Sequence, residues 1–270
     1  MMKSKWLFIG IILVLVMILV INLFKKEKKF QHYLVLGDSI AEGYALNDKG
    51  NRYSKIVQDH YQIKNQNFTD LSKSGMTAQA LAENIKNAEY RNAIKNSDLI
   101  TISIGSNELL GVFTTILQEI ALTNLNKNPT ELLTALAIKL KSSAGKAQLE
   151  NGILIYEQSW GQIVEDIKTM NPNATIIATE FYNPFYGITE LGDIARTYIE
   201  QLNQILKEKS NNETMYYIAK IYQDFNNTGT ALTNMNINFE KFNLTTLDPH
   251  PNVKGHKLIA EKILKVLANK

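Results

Sequence analysis

Short apolar runs alternate with amphipathic stretches along residues 31–270. The apolar runs are rich in β-branched and aromatic residues and predict strands, whereas apolar positions at helical spacing predict helices. Strands are predicted at 32–36, 67–71, 98–104, 174–179 and 215–221, and helices at 52–61, 77–95, 158–170, 191–209 and 252–269. This alternation predicts an α/β fold with a parallel sheet, helices on both of its faces, and a ligand site at the carboxyl ends of the strands.

Residues 108–152 depart from that alternation. Two apolar helical stretches, 109–125 and 129–140, follow one another with no strand between them. A helical insertion of this kind is compatible with a cap over the ligand site and with an ordinary pair of scaffold helices, because amphipathic helices beside a site give the same pattern. Both interpretations stay open at this point.

The N-terminal 30 residues follow another pattern. An almost unbroken apolar run covers residues 6–24, with Lys3 and Lys5 before it and a cluster of four lysines directly after it. The run is long enough to span a bilayer, and it leads into lysines instead of the small residues of a cleavage site. It therefore predicts an uncleaved transmembrane anchor with a basic linker, followed by one globular domain over residues 31–270.

The first predicted strand leads directly into Gly37, Asp38 and Ser39. Gly37 allows a tight turn, and Ser39 then stands at the carboxyl edge of the sheet, at the start of a helix. Unpaired backbone N–H groups at that place stabilise an alkoxide or an oxyanion. Ser39 is therefore a candidate nucleophile, although Asp and Ser are also common helix caps.

A second polar group precedes the last predicted helix. Asp248 and His250 lie in the sequence Asp-Pro-His-Pro-Asn, where two prolines stiffen the loop. The imidazole of His250 can act as a general base toward Ser39. The carboxylate of Asp248 can fix the tautomer of that imidazole and stabilise its charged form.

Potential hydrogen-bond donors follow the second and third predicted strands. Gly75 comes after the second strand and Asn107 after the third, so both open onto the sheet edge that carries Ser39. The backbone N–H groups of Gly75 and Ser39 and the side-chain amide of Asn107 are therefore candidates for an oxyanion hole.

Ser39, Gly75, Asn107 and His250, in this order, resemble the four named residues of the SGNH or GDSL hydrolases. The resemblance covers nearly the whole chain after the apolar run, from the block at 36–43 to the block at 248–256. It implies a three-layer α/β/α, flavodoxin-like fold with a mainly parallel five-stranded sheet, and ester hydrolysis without a cofactor. The anchor and the helical insertion are most similar to the membrane-attached bacterial lipase or acylhydrolase branch.

Two positions depart from the family pattern. The third block usually reads Gly-x-Asn-Asp, whereas Asn107 is followed here by Glu108. The acid of the last block usually lies three residues before the histidine, a place that Leu247 occupies here, and Asp248 lies two residues before His250. Either Asp248 still reaches the imidazole, or a backbone carbonyl orients a serine–histidine dyad.

Four further residues are candidates for substrate binding. Asp38 and Glu108 adjoin the candidate catalytic residues in sequence, and Tyr182 and Phe185 lie in an aromatic loop after the fourth predicted strand. That loop either lines an acyl pocket or packs on its neighbours, since aromatic residues serve both purposes.

Composition restricts the partners. The chain has no cysteine, and His32, His60 and His256 have no neighbours at metal-ligand spacing, so we predict no metal and expect these histidines on the polar surface. Part of the net charge of +3 comes from the lysine cluster after the apolar run, which suits anionic lipid head groups. No interleaved basic and aromatic stripe indicates a nucleic-acid partner.

Taken together, these features predict a serine esterase or lipase-like acyl hydrolase that cleaves carboxylic esters through an acyl-enzyme on Ser39. The membrane anchor and the apolar insertion favour a lipid or other acyl ester. The alternatives are an esterase for carbohydrate or cell-wall O-acetyl groups, and a catalytically silent surface protein that binds ligands with the same fold.

The anchor predicts a single-pass protein of the cell membrane. More lysines follow the apolar run than precede it, which by itself favours a cytoplasmic domain. We nevertheless expect the domain outside the cytoplasm, because an anchored enzyme that acts on external esters must meet them there. Protease added to intact cells should therefore digest residues 31–270, and full protection would contradict this orientation.

Overall fold

The computed structural model describes residues 30–123, 129–187, 189–211, 214–235 and 248–270. The predicted anchor over residues 6–24 lies outside these ranges and stays a prediction. Within the ranges described, no helix combines the length and the apolar character needed to cross a membrane.

Five parallel strands form one sheet. They are β1 (Tyr33–Gly37), β2 (Phe68–Asp70), β3 (Leu99–Ser103), β4 (Thr175–Thr179) and β5 (Tyr217–Ala219). β2 to β5 lie inside predicted runs, and β1 extends one residue beyond its predicted run, to Gly37. The spatial order is β2-β1-β3-β4-β5 with parallel pairing throughout. The predicted parallel sheet is confirmed. Its strand order is that of flavodoxin-like folds, in which ligands bind at the carboxyl ends of β1 and β3, where the strand order reverses.

The helices of the described residues follow the strands as predicted, with three differences: one predicted helix is divided, one is longer than predicted, and the short helix at 222–228 was not predicted. They are α1 (Ser39–Glu42), α2 (Tyr53–His60), α3 (Ala78–Asn84), α4 (Ala88–Lys95), α5 (Ser106–Thr123), α6 (Pro129–Lys141), α7 (Ser143–Met170), α8 (Thr189–Lys209), α9 (Tyr222–Thr228) and α10 (Val253–Leu267). The single helix predicted at 77–95 is two helices, because Asn87 is extended and begins a new helix as its N-cap.

Helix α7 is much longer than the helix predicted at 158–170. It has 28 residues, and its buried positions Leu149, Ile153, Tyr156 and Trp160 continue one helical stripe. The boundary predicted at residue 152 therefore lies inside a continuous helix. Gly152 allows α7 to approach the first turn of α5, since a Cβ there would come within 2.8 Å of the backbone oxygen of Glu108.

Successive strand residues face opposite layers of helices. Leu34 and Leu36 of β1 belong to a core with α3 to α8, whereas Tyr33 and Val35 belong to a second core with α1, α2, α9 and α10. This alternation follows from the pleat of the strands, which sends neighbouring side chains to opposite faces. The result is the expected three-layer α/β/α arrangement.

The inserted helices α5 and α6 belong to the larger of these cores. They pack on each other, both contact α7, and α6 also contacts α8. Buried side chains such as Phe113, Ile116, Leu136 and Leu140 join them to the rest of the core. They are therefore part of the scaffold, and α5 also forms a wall of the cavity described below.

Candidate active site

The turn after β1 places Ser39 at the carboxyl edge of the sheet. Gly37 has a φ of +146°, and a Cβ there would lie 2.1 Å from the backbone oxygen of Ser103. The chain can therefore pass this close to β3 only with glycine at this position. The N–H of Asp38 donates to the same Ser103 oxygen at 2.9 Å, and Ser39 follows as the first residue of α1.

The loop that carries His250 is held from two sides. The N–H of Asn234 donates to the His250 carbonyl at 2.9 Å, and the Asn252 side-chain amide donates to the carbonyl of Thr233 at 2.8 Å. On the other side, the Tyr182 hydroxyl donates to the Pro249 carbonyl at 2.7 Å. These bonds fix the backbone on which the imidazole depends.

Ser39, His250 and Asp248 form one hydrogen-bonded chain. The Ser39 Oγ lies 2.9 Å from the His250 Nε2, and the His250 Nδ1 lies 2.5 Å from the Asp248 Oδ1. The same carboxylate oxygen accepts the backbone N–H of His250 at 3.0 Å. An Asp that accepts the N–H two residues later forms an Asx-turn, and this turn brings the carboxylate to the ring despite the shortened spacing.

The environment of Asp248 keeps its carboxyl group ionised. Partial burial acts to raise the pKa, but hydrogen bonds from the ring and the backbone of His250 outweigh it, and the pKa lies below its ordinary value. A carboxylate beside the Nδ1 can stabilise the imidazolium that forms when His250 accepts a proton.

The candidate oxyanion donors surround the same turn. Asn107 lines the cavity next to Ser39 and His250, and its side-chain amide donates to the Met76 carbonyl at 2.8 Å. Gly75 lies exposed in the neighbouring loop, outside the cavity lining, with a φ of +78°. Asn107 is therefore tied through its side-chain amide to the residue after Gly75.

That loop is also tied to the nucleophile turn. The N–H of Lys73 donates to the Gly37 carbonyl at 3.0 Å, and the N–H of Ser74 donates to the Glu42 carboxylate at 2.7 Å. Gly75 is thus held between contacts to α1 on one side and to Asn107 on the other.

Asp38 and Glu108 do not occupy the positions expected of substrate-binding residues. Neither lines the cavity. The Asp38 side chain, 1% exposed, caps α1 by accepting the Ile40 N–H at 2.9 Å, and Glu108 accepts the Ala78 N–H at 2.5 Å. Both carboxylates are bound to backbone N–H groups at the starts of helices, Asp38 to that of α1 and Glu108 to that of α3, so in this structure they support the backbone around Ser39.

An apolar cavity opens beside Ser39 and His250. Its walls come from α5, from the loop after β4 and from α8, and consist of Leu109, Leu110, Phe113, Phe181, Tyr182, Pro184, Phe185, Ala195, Tyr198, Ile199 and Leu202. The candidates Tyr182 and Phe185 are both in this lining. The rings of Phe113 and Phe185 stack at 5.4 Å with an angle of 7° between their planes.

The sequence did not indicate that α5 and α8 form walls of the cavity. It also did not indicate the aromatic neighbour that His250 has outside the cavity lining. The α8 residues follow the spacing i, i+3, i+4 and i+7, which marks a helix face but does not distinguish a cavity wall from core. The missed neighbour is Tyr44, whose ring centroid lies 4.7 Å from that of His250.

His256 requires a correction. It is fully buried, its Nδ1 accepts the Tyr53 N–H at 3.3 Å, and its ring stacks on that of Tyr53. Burial, with a smaller effect of the charge on Lys49, lowers its pKa to about 3, so the ring is neutral. His32 and His60 are exposed, as expected.

A serine, an imidazole and a carboxylate in hydrogen-bonded sequence, at the carboxyl edge of a flavodoxin-like sheet, define a serine-hydrolase type of site. Residues 35–258 match the GDSL-like Lipase/Acylhydrolase family, and the chain belongs to that family. It is therefore placed among hydrolases by both its site and its sequence.

Known proteins are similar to this chain in sequence or in fold. The chain is 23% identical over 248 residues to the uncharacterized protein YpmR of Bacillus subtilis (strain 168), covering 89% of this chain and 84% of YpmR. It is similar to the lipase Lip_vut3 from a goat rumen metagenome, with a TM-score of 0.62, 18% identity, and coverage of 87% and 96% of the two chains. It is likewise similar to an extracellular lipase of Streptomyces rimosus, with a TM-score of 0.62, 15% identity, and coverage of 87% and 99%. At these identities the structural likeness establishes the fold.

The buried carboxyl of Asp38 predicts a pH-dependent stability. Burial, reinforced by the charge of Glu108, raises its pKa from 3.8 to about 7. Between these values the folded protein holds a proton that the unfolded chain has released, so the contribution of Asp38 to the free energy of unfolding falls as the pH rises and levels off above about pH 7. The raised pKa of Glu108 acts in the same direction. The lowered pKa of His256 acts oppositely between about pH 3 and pH 6.5, and the lowered pKa values of Asp248 and Glu42 act oppositely at acid pH.

Urea denaturation of the full-length protein in detergent checks this expectation. From pH 5 to pH 8 the Asp38 contribution to the unfolding free energy should fall by about 2–3 kcal/mol, whereas the His256 contribution should rise by about 2 kcal/mol, so that the two nearly cancel in the unsubstituted protein. In Asp38→Asn the rise from His256 should remain, so the unfolding free energy should increase by about 2 kcal/mol over this range. Ser39→Ala, which keeps the Asp38 carboxyl, should follow the unsubstituted protein. Equal pH dependence in Asp38→Asn would contradict the assignment.

Proposed function

We propose that this protein hydrolyses carboxylic esters through an acyl-enzyme on Ser39. The observation that carries the proposal is the hydrogen-bonded chain from the Ser39 Oγ through the His250 ring to the Asp248 carboxylate. Membership in a lipase and acylhydrolase family agrees with it. A silent binding protein would have no use for such a complete proton relay.

The chemistry follows from the two short contacts. The Ser39 hydroxyl donates to the His250 Nε2, which takes the proton as the Oγ attacks the ester carbonyl. Asp248 stabilises the resulting imidazolium. When the tetrahedral intermediate collapses, His250 returns the proton to the departing alcohol, and water then releases the acyl group by the same steps in reverse order.

The oxyanion of that intermediate needs preorganised donors. The second N–H of the Asn107 amide, the Ser39 backbone N–H and the Gly75 backbone N–H fill this role in the proposal. Their support is the geometry of the loops: the Asn107 amide holds the Met76 carbonyl, and the Gly75 loop is tied to the Gly37 carbonyl.

In the proposal, the acyl half of the substrate binds in the apolar cavity. It begins at Ser39 and His250 and runs between α5 and α8, so an acyl chain attached to Ser39 would replace water along leucine, isoleucine and phenylalanine side chains. Two solved structures of the same fold are named lipases. An acetyl group would leave most of these walls unused, which favours a longer acyl ester over the cell-wall O-acetyl alternative.

Substitution of the relay tests the chemistry. Ser39→Ala should abolish turnover of an activated ester, and Asp248→Asn should lower kcat by about 10²–10⁴-fold, because the amide cannot hold the productive tautomer or stabilise the imidazolium. Steady-state kinetics with melting temperatures as the folding control check both variants. Turnover that survives Ser39→Ala, or that is unchanged in Asp248→Asn, would refute the assigned roles.

Filling the cavity tests the substrate class. Ala195 lies on α8 in the cavity wall and is 4% exposed, so Ala195→Phe should occupy space needed by a long acyl chain. The kcat/KM for an octanoyl ester should fall by about tenfold or more, since a few methylenes lose their apolar contacts, while that for an acetyl ester should change little. The acetyl ester is the internal control for folding, and an equal loss for both esters would count against an acyl chain in this cavity.

A further inference from the structure

Tyr44 covers the imidazole of His250 on a side that the apolar cavity does not reach. The two ring centroids are 4.7 Å apart, with an angle of 51° between the ring planes. Tyr44 is 50% exposed and is absent from the cavity lining, which includes His250. The catalytic ring therefore has the cavity on one side and an aromatic side chain from outside it on another.

The backbone holds Tyr44 in register with the nucleophile. Its N–H donates to the Ser39 carbonyl at 2.8 Å. Before it, Gly43 ends α1 with a φ of +71°, and its carbonyl accepts the Lys49 ammonium at 2.7 Å. After it, Ala45 has a φ of +64°, which is strained for a residue with a Cβ. Such strain persists where the surrounding structure demands one conformation, often at functional sites.

The proposed function, on which this inference rests, creates a cation beside this ring. When Ser39 attacks, its O–H bond breaks, the proton goes to the His250 Nε2, and an Oγ electron pair forms the bond to the carbonyl carbon. The carbonyl π pair moves to the oxygen, and the positive charge stays on the imidazole. A cation within about 6 Å of an aromatic centroid can be stabilised by the ring quadrupole, which acts on the charged form only.

We propose that Tyr44 is a positioning residue that acts through His250. Its ring holds the imidazole toward Ser39 and stabilises the imidazolium that forms in the transition state. The ring face carries this role, and the hydroxyl is dispensable. Since the interaction is stronger in the transition state than in the ground state, it contributes to kcat and leaves substrate binding unchanged.

A matched pair of variants distinguishes the effect of the aromatic ring of Tyr44 from the effect of its size. Tyr44→Phe keeps the ring face, whereas Tyr44→Leu keeps an apolar cover and removes the π electrons. We expect Tyr44→Phe within about twofold of the unsubstituted protein, and Tyr44→Leu about 3- to 10-fold lower in kcat with little change in KM. Melting temperatures should stay close together, because the side chain is half exposed.

A second readout does not depend on turnover. The ring protons of His250, assigned among the four histidines by comparison with His250→Gln, should show a ring-current shift in the unsubstituted protein and in Tyr44→Phe, and lose it in Tyr44→Leu. Equal kcat in Tyr44→Phe and Tyr44→Leu, or a change confined to KM, would overturn the proposal. If the unsubstituted protein hydrolyses no ester, the proposed function fails. The ring-current shift then tests the contact between Tyr44 and His250 by itself, and a shift that persists in Tyr44→Leu would overturn the positioning role of Tyr44.

Discussion

The contact between the Ser39 hydroxyl and the His250 ring is the interaction on which the arrangement of the site depends. The two residues are 211 positions apart in the chain, and their reactive atoms are 2.9 Å apart. A contact of this kind requires both loops to be fixed, since a displacement of about 1 Å can cost on the order of a hundredfold in rate. Much of the hydrogen bonding around the site serves that requirement.

The parallel sheet helps to fix the site residues relative to one another, because it brings the ends of distant strands to one edge. Strand β1 delivers Ser39 and the adjacent strand β3 leads to Asn107, so two of the site residues are neighbours by sheet order alone. The His250 loop is not carried by a strand. Its position depends on the Asn234, Asn252 and Tyr182 hydrogen bonds and on packing of α10 against α2 and the sheet.

The sequence was sufficient for the features that depend on local patterns. Alternating apolar strands and helices predict the layers, and the turn after β1 predicts the place of Ser39 because a strand, a glycine and a helix start follow one another. Pattern alone did not show that Asp248 reaches His250, since an Asx-turn depends on backbone conformation. It also misplaced Asp38, Glu108 and His256, because a polar side chain near a site in sequence can be buried as a cap or a core partner.

The cavity could not be predicted for a related reason. Phe113 and the α8 face have the periodicity of ordinary core, and only their positions in space leave room between them. The role proposed for Tyr44 could not be predicted either, because the sequence shows only an aromatic residue after Gly43 and does not show its neighbours in space. Its relation to the imidazole arises from tertiary structure: the Tyr44 N–H is hydrogen-bonded to the Ser39 carbonyl, and its ring lies beside that of His250.

Covalent labelling with a fluorophosphonate tests the central claim most directly, because the probe reacts with a serine that a neighbouring base activates. Peptide mass spectrometry of the labelled full-length protein should find the phosphonyl group on Ser39, and His250→Ala should suppress the labelling although Ser39 is still present. Labelling at another serine, no labelling at Ser39, or equal labelling of Ser39 without His250 would contradict the account.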